Sequence, residues 1–203
     1  MVYMSRHRGA CGLAFALMSL TAQAQVIEFE SNGLRYQTLT KSGVTVMYAT
    51  LPARLREYTI IQVSVSNGAE APYVVRPEDF TFMRDGAAPV RASAANSVVQ
   101  MLTQKGSRND VSKLVSAYEA SLYNVPNMRI TNGYEERRQA AMMAGSSRLR
   151  AAAEASALAL VQTKLAPGES TDGAVFFQTD GKPLTPGRLV VRTSTDSFEF
   201  KPQ

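Results

Sequence analysis

Tyr58-Thr59-Ile60-Ile61-Gln62-Val63-Ser64-Val65-Ser66-Asn67 decides how the rest of the chain is read. Thr59, Ile61, Val63 and Val65 alternate with Ile60, Gln62, Ser64 and Ser66, and a period of two marks a half-buried β-strand. Asn67-Gly68 follows directly, a dipeptide whose members both tolerate positive φ, and it predicts a turn at the strand end.

Strand signals continue outward on both sides. Leu34 to Thr40 and Gly43 to Leu51 are β-rich, the second placing Val44, Val46 and Tyr48 on one face and Thr45, Met47 and Ala49 on the other. Ala71 to Val75 is extended, and Pro72 favours an edge or a strand start. Phe80 to Arg84 and Pro89 to Ala92 flank Asp85-Gly86 as a hairpin, with Phe80 and Phe82 directed inward. Beyond Ala166-Pro167-Gly168 the strand pattern returns in Gly173 to Thr179, Leu189 to Thr193 and a last strand carrying Phe198 and Phe200. The intervening turns are Asp180-Gly181, Pro186-Gly187 and Thr195-Asp196.

Between about 93 and 163 the period changes to that of helices. Val98, Val99, Met101 and Leu102 form a short helical patch ended by Gly106. Val111, Leu114, Val115, Tyr118 and Leu122 have amphipathic spacing, with Asn109 or Asp110 as N-cap and Pro126 beyond the end. A third, longer helix is expected from about Asn132 to about Thr163. Met142, Gly145, Leu149, Ala153, Ser156 and Leu160 lie along one stripe of it, predicted to pack closely because most are small. The helices form one block inside a run of closely spaced strands, which favours an antiparallel β-sandwich with a helical insertion over parallel βαβ units.

The first 24 residues carry the only histidine and the only cysteine of the 203-residue chain. Arg6, His7 and Arg8 give a basic start, Ala10 to Leu20 an apolar run, and Ala22-Gln23-Ala24 a small-x-small cleavage site, so 1–24 is predicted to be a cleaved export signal. The expectation is a single domain over 25–203 in the periplasm or outside the cell. Cys11 is a poor lipidation candidate: Arg8 stands where an aliphatic residue is wanted, and the apolar stretch follows the cysteine. No later segment is long and apolar enough to span a bilayer. The chain carries 22 basic and 17 acidic residues, a net charge of +5; these charges are dispersed, and nucleic acid is not an expected partner.

Once the signal is removed, no His-based triad, thiol nucleophile or imidazole or thiolate zinc site can form. No Ser-x-x-Lys occurs, Thr38-x-x-Lys41 sits on a strand and its turn, and Gly181-Lys182 lacks the preceding glycine of a phosphate loop. Paired acids remain open to glycoside hydrolysis: Glu78 with Asp79, or Glu135 with Glu136, with Glu169 or Asp172 as distant partners. Asp172-Gly173 and Asp180-Gly181 fit turns better than calcium loops. Met142-Met143 fits core filling better than copper binding. No cofactor, metal or catalytic residue is assigned. The densest basic region is Arg129, Arg137, Arg138, Arg148 and Arg150, interspersed with Glu135, Glu136 and Glu154. It reads either as a solvated helix face with local ion pairs or as an interaction surface for an acidic protein, a cell-wall polymer or anionic headgroups.

The series Ile61-x-Val63-x-Val65-x-Asn67, Val75-x-Pro77-x-x-Phe80, Leu165-x-Pro167-Gly168-Glu169-Ser170 and Gly173-x-Val175-x-Phe177 resembles a group of uncharacterised bacterial exported domains with an immunoglobulin-like β-sandwich. The resemblance covers about 34–92 and 165–201. It implies that fold and an envelope location, and supplies no catalytic residues. The helical block at 93–163 departs from the group, whose simpler members have a short connection there.

The resulting expectation is a non-enzymatic interaction or structural module of the cell envelope, with the helical insertion contacting an envelope protein or a second copy of the chain. A carboxylate-dependent hydrolase acting on an envelope glycan is the alternative.

Overall fold

The computed structural model describes residues 25–31, 33–122, 136, 139–140, 143, 145–184 and 186–202. The expected export signal lies outside them, as do Arg129, Arg137, Arg138, Asn132, Glu135 and Met142. In chain order the elements are β1 (Ile27–Ser31), β2 (Leu34–Lys41), β3 (Val44–Leu55), β4 (Tyr58–Asn67), β5 (Tyr73–Val75), β6 (Phe80–Arg84), β7 (Val90–Ser93), α1 (Ala95–Lys105), α2 (Arg108–Leu122), α3 (Ser147–Leu158), β8 (Thr163–Leu165), β9 (Ser170–Gln178), β10 (Gly187–Arg192) and β11 (Ser197–Glu199). The protein is mainly β, with its helices between strands.

β4 is buried on both faces, not half-buried as its alternation predicts; only Ser66 is partly exposed. Ile61, Val63 and Val65 enter an inner core with Val46, Tyr48, Phe80, Phe82, Phe177, Leu189 and Phe198. Tyr58 and Ile60 point the other way, into an outer core with Leu34, Tyr36, Leu51, Phe176 and helical side chains. The adjacent isoleucines Ile60 and Ile61 are therefore both fully buried, in different cores.

One antiparallel sheet makes both walls of the inner core. Its order is β1-β2-β3-β4-β9-β7-β6-β10-β11, and it curls until its far strands face β2 and β3. Tyr48 of β3 packs edge-on against Phe200, with ring centroids 4.8 Å apart. Side chains seal the approach: Gln37 donates to the Lys201 carbonyl at 3.3 Å and accepts from the Lys201 N–H at 3.0 Å, and Lys41 donates to the Ser197 carbonyl at 3.2 Å. The β6–β7 hairpin forms as expected, with Phe80 and Phe82 fully buried. β5 joins β8 in a separate two-stranded ladder that adds Tyr73, Val75 and Leu165 to the inner core.

The helices cover the outer face of the main sheet. Val98 and Leu102 of α1, Leu114 and Ala117 of α2, and Ala151, Ala152, Ala155 and Leu158 of α3 form the outer core with the strands. Helices of 11 to 15 residues are marginal alone, so this burial, at roughly 1.5–3 kcal/mol per large apolar side chain, holds them in place.

Several expectations are corrected. The third helix is not continuous through residue 146: Ser146 is extended (φ −128°, ψ 154°), and its side chain accepts from the Leu149 N–H as the N-cap of α3. The helix ends at Leu158, where Ala159 forms a parallel bridge to Ala174. Its packing face is not the expected stripe, since Leu149 is half exposed and Ser156 exposed. Alanines occupy several faces of this helix, so small-residue spacing alone could not single out the buried one. α2 begins two to three residues earlier than expected, because Ser107 and Asp110 form a capping box: Ser107 Oγ accepts from the Asp110 N–H at 3.3 Å, and Asp110 Oδ2 accepts from the Ser107 N–H at 2.9 Å. Asn67-Gly68 is not a positive-φ turn; Asn67 is fully buried and its side chain reaches inward.

Candidate functional site

α2 and α3 both start at a shallow groove of about 410 Å³. Arg108, Val111 and Ser112 line it from the first turns of α2; Ser146, Ser147 and Arg150, with Gly145 ahead of them, line it from the start of α3. Two serine-capped helix starts thus converge with two guanidinium side chains. Each helix start carries a partial positive charge and unpaired backbone N–H groups, and arginine adds a planar set of donors. The arrangement suits carboxylate, phosphate or sulfate groups presented by a partner.

Next to the groove, a partly buried ion pair anchors the start of α2 to the sheet. Arg56, in the β3–β4 turn with φ +54°, donates through Nη2 to Asp110 Oδ2 at 2.8 Å and through Nε at 3.1 Å. Its Nη2 also donates to the Lys105 carbonyl at the end of α1. Ser107 Oγ donates to the same Asp110 oxygen at 2.7 Å. Burial pushes the Asp110 carboxyl up, but the hydrogen bonds from Ser107 and Arg56 and the Arg56 charge outweigh it and hold the group below the usual carboxylate range. One carboxylate therefore fixes the junction of α1 and α2 to the strand turn beneath.

Of the five expected basic residues, Arg150 lies in the groove and Arg148 is exposed with its backbone against Gly106, at the end of α1. Arg129, Arg137 and Arg138 lie outside the described residues. Arg108 stands apart from the dense basic region and reaches the groove only through the packing of α2 beside α3, so no local sequence signal marks it.

The acids weighed for hydrolysis sit in turns and ladders. Asp79 accepts from the Arg76 N–H at 2.9 Å, capping a 3-10 turn over Pro77–Asp79. Glu169 accepts from the Ala166 N–H at 2.7 Å across the Ala166-Pro167-Gly168 turn, in which Gly168 has φ +81°. Asp172 accepts from Gln62 Nε2 at 3.3 Å. Glu136 is exposed and Glu135 lies outside the described residues. Among the described residues no three His, Cys, Asp or Glu side chains are grouped to hold a metal ion, and no helix is long and apolar enough to cross a membrane. Asp180 and Gly181 have φ of 50° and 76°, the geometry of a turn.

A second cavity, of about 290 Å³, opens between the β1–β2 turn at Gly33, the irregular stretch of β3 from Thr50 to Arg54, and Pro183 and Leu184. Arg54 at its rim donates to the Gly181 carbonyl at 2.9 Å. No protein family, no curated protein and no solved structure matches this chain.

Proposed function

We propose that the chain is an exported, non-enzymatic interaction module of the bacterial envelope, built on an immunoglobulin-like β-arrangement and contacting an acidic partner through its helical block. The observation that carries this reading is the convergence of Arg108 and Arg150 with the capped starts of α2 and α3 in one groove. An envelope protein presenting carboxylates fits that groove by charge and by the donors at the helix starts. The facing walls of the antiparallel sheet around the inner core support the immunoglobulin-like reading. The export reading rests on the pattern of residues 1–24.

The test is cross-linking in intact cells followed by mass spectrometry, comparing the parent with Arg108→Gln/Arg150→Gln. Both side chains are exposed, so the variant is expected to fold. Loss of a specific cross-linked envelope protein supports the proposal; an unchanged cross-link pattern rejects the groove as the contact.

A further inference from the structure

β1 ends the nine-stranded sheet. It pairs with β2 without interruption from Ile27↔Thr38 to Ser31↔Leu34, and among the described residues no strand lies on its other side. The outer side of such a strand is a template for one more strand, and proteins commonly protect it with proline, charged side chains, short length or a bulge. β1 reads Ile27-Glu28-Phe29-Glu30-Ser31, without proline or bulge; its five residues are guarded by charge of one sign, which repels an acidic strand and not a basic one.

Its two faces differ in chemistry. Ile27 and Phe29 share one face and are 60% and 40% exposed. Phe29 is nonetheless fixed in place, its ring stacked on Tyr36 at 5.2 Å with 10° between the planes. Glu28 and Glu30 share the other face. Across β2, Glu30 stands opposite Arg35, whereas Glu28 stands opposite Gln37, whose amide is engaged with the Lys201 backbone. The position directly opposite Glu28 is therefore uncharged, and the open side of β1 is where a cation can stand directly beside it.

The same pattern argues against a second copy of β1. In antiparallel pairing, directly opposite side chains lie on one face. Any antiparallel register that pairs at least three residues of β1 with a second β1 and matches apolar face to apolar face thus sets a glutamate of one copy against a glutamate of the other, and like charges directly opposite are destabilising. We infer that β1 accepts, by strand addition, an extended segment of another protein in which aliphatic residues alternate with lysine or arginine. Backbone hydrogen bonds supply the pairing, the aliphatic side chains extend the Ile27–Phe29 row, and the cations fall beside Glu28 and Glu30. This surface is separate from the helical groove and stands whether or not that groove binds a partner.

The experiment uses the folded chain and capped peptides of about seven residues, one alternating Lys with Val and one alternating Glu with Val. Affinity is read by fluorescence anisotropy and location by amide hydrogen exchange. The Lys/Val peptide is expected to bind about tenfold more tightly than the Glu/Val peptide and to slow exchange within residues 27–31. Glu28→Lys/Glu30→Lys, combined with Arg35→Glu so that residue 30 still faces an opposite charge, should fold normally and invert the preference. Equal affinity for both peptides, protection mapped outside β1, failure of this variant to invert the preference, or a concentration-dependent dimer that protects residues 27–31 would each overturn the inference.

Discussion

Asn67 Nδ2 donates to the carbonyl of Leu165, 98 positions later in the chain, at 3.1 Å. The same nitrogen donates to the Ala71 carbonyl at 2.9 Å, while Oδ1 accepts from the Ala69 N–H at 3.1 Å. The Asn67 N–H donates to the Glu169 carbonyl, and its carbonyl accepts from the Gly168 N–H. Asn67 thus joins the end of β4 to the segment before β5 and the end of β8 through its fully buried side chain, and to the turn between β8 and β9 through its backbone. Asn67→Ala should cost about 2–4 kcal/mol, because it leaves buried carbonyls without donors. Asn67→Asp keeps the shape and the acceptor but buries a charge facing two carbonyls, so its penalty should shrink as pH falls and the carboxyl protonates. Urea denaturation of both variants at neutral and acid pH checks this.

Arg56 and Asp110 are expected to behave as a coupled pair. Removing either side chain should destabilise the fold, and a double-mutant cycle with Arg56→Ala and Asp110→Ala should give a coupling of about 1–3 kcal/mol. The folded pKa of Asp110 lies below its ordinary value. Its stabilisation is therefore fully present above the unfolded carboxylate pKa of about 3.9 and is lost as pH falls through the lower folded value. The parent should lose stability in that acid window more steeply than Asp110→Asn does.

Asp79 predicts the opposite sign. Burial raises its pKa, only partly offset by the hydrogen bond from the Arg76 N–H and the Arg76 charge. An acid whose pKa rises on folding binds its proton more tightly in the native state, so the ionised form opposes folding once pH rises above the unfolded pKa. Asp79→Asn keeps an acceptor for the Arg76 N–H and removes the charge. Its Tm is expected to exceed that of the parent at neutral pH, and the two should converge below about pH 4. Thermal melts across that range read the difference directly.

Much of this architecture was legible, and the gaps have physical reasons. Alternation located β4, but Ile60 and Ile61 look like one apolar pair; nothing local says that each belongs to a different core, since that depends on helices 35 or more residues away. The Phe80 and Phe82 face, the Asp85-Gly86 hairpin and the end of α1 at Gly106 follow from local chemistry and were found. β1 was missed although Ile27 and Phe29 alternate with Glu28 and Glu30, because the run is only five residues long. Asn67-Gly68 signals a turn by local chemistry, whereas the Asn67 amide donates across the fold. The candidate groove was half visible: Arg150 stood in the basic cluster, but pairing it with Arg108 requires the arrangement of α2 beside α3.

Gly173 lies where the chain leaving α3 crosses β9. A Cβ built there would come within 2.6 Å of the Leu160 backbone, and Leu160 N–H donates to the Ala174 carbonyl next to it at 2.9 Å. Gly173→Ala must therefore push two backbones apart, at an expected cost of about 1–3 kcal/mol or more. Gly145 has nothing within 4 Å of a built Cβ, so Gly145→Ala should stay within about 0.5 kcal/mol of the parent. Similar losses for the two variants in chemical denaturation would contradict the crossing as drawn.

The helical block contributes to the fold beyond any binding role, and a deletion separates these ideas. Leu34, Tyr36, Leu51, Ile60 and Phe176 on the sheet meet Val98 and Leu102 of α1, Leu114 of α2 and Ala151 and Ala155 of α3 in one cluster. Replacing residues 107–158 with a short linker would bare that face, including the Tyr58–Phe176 edge contact with centroids 6.5 Å apart. An exposed apolar patch of this kind promotes association and loss of cooperative unfolding. The truncated chain is expected to bind a hydrophobic dye strongly, aggregate, and lack a sharp thermal transition, whereas Arg108→Gln/Arg150→Gln, at two exposed positions, should keep a cooperative transition. A truncated chain that stayed monomeric and unfolded cooperatively would show that the inner core alone sustains the sheet, and that the block is present for binding only.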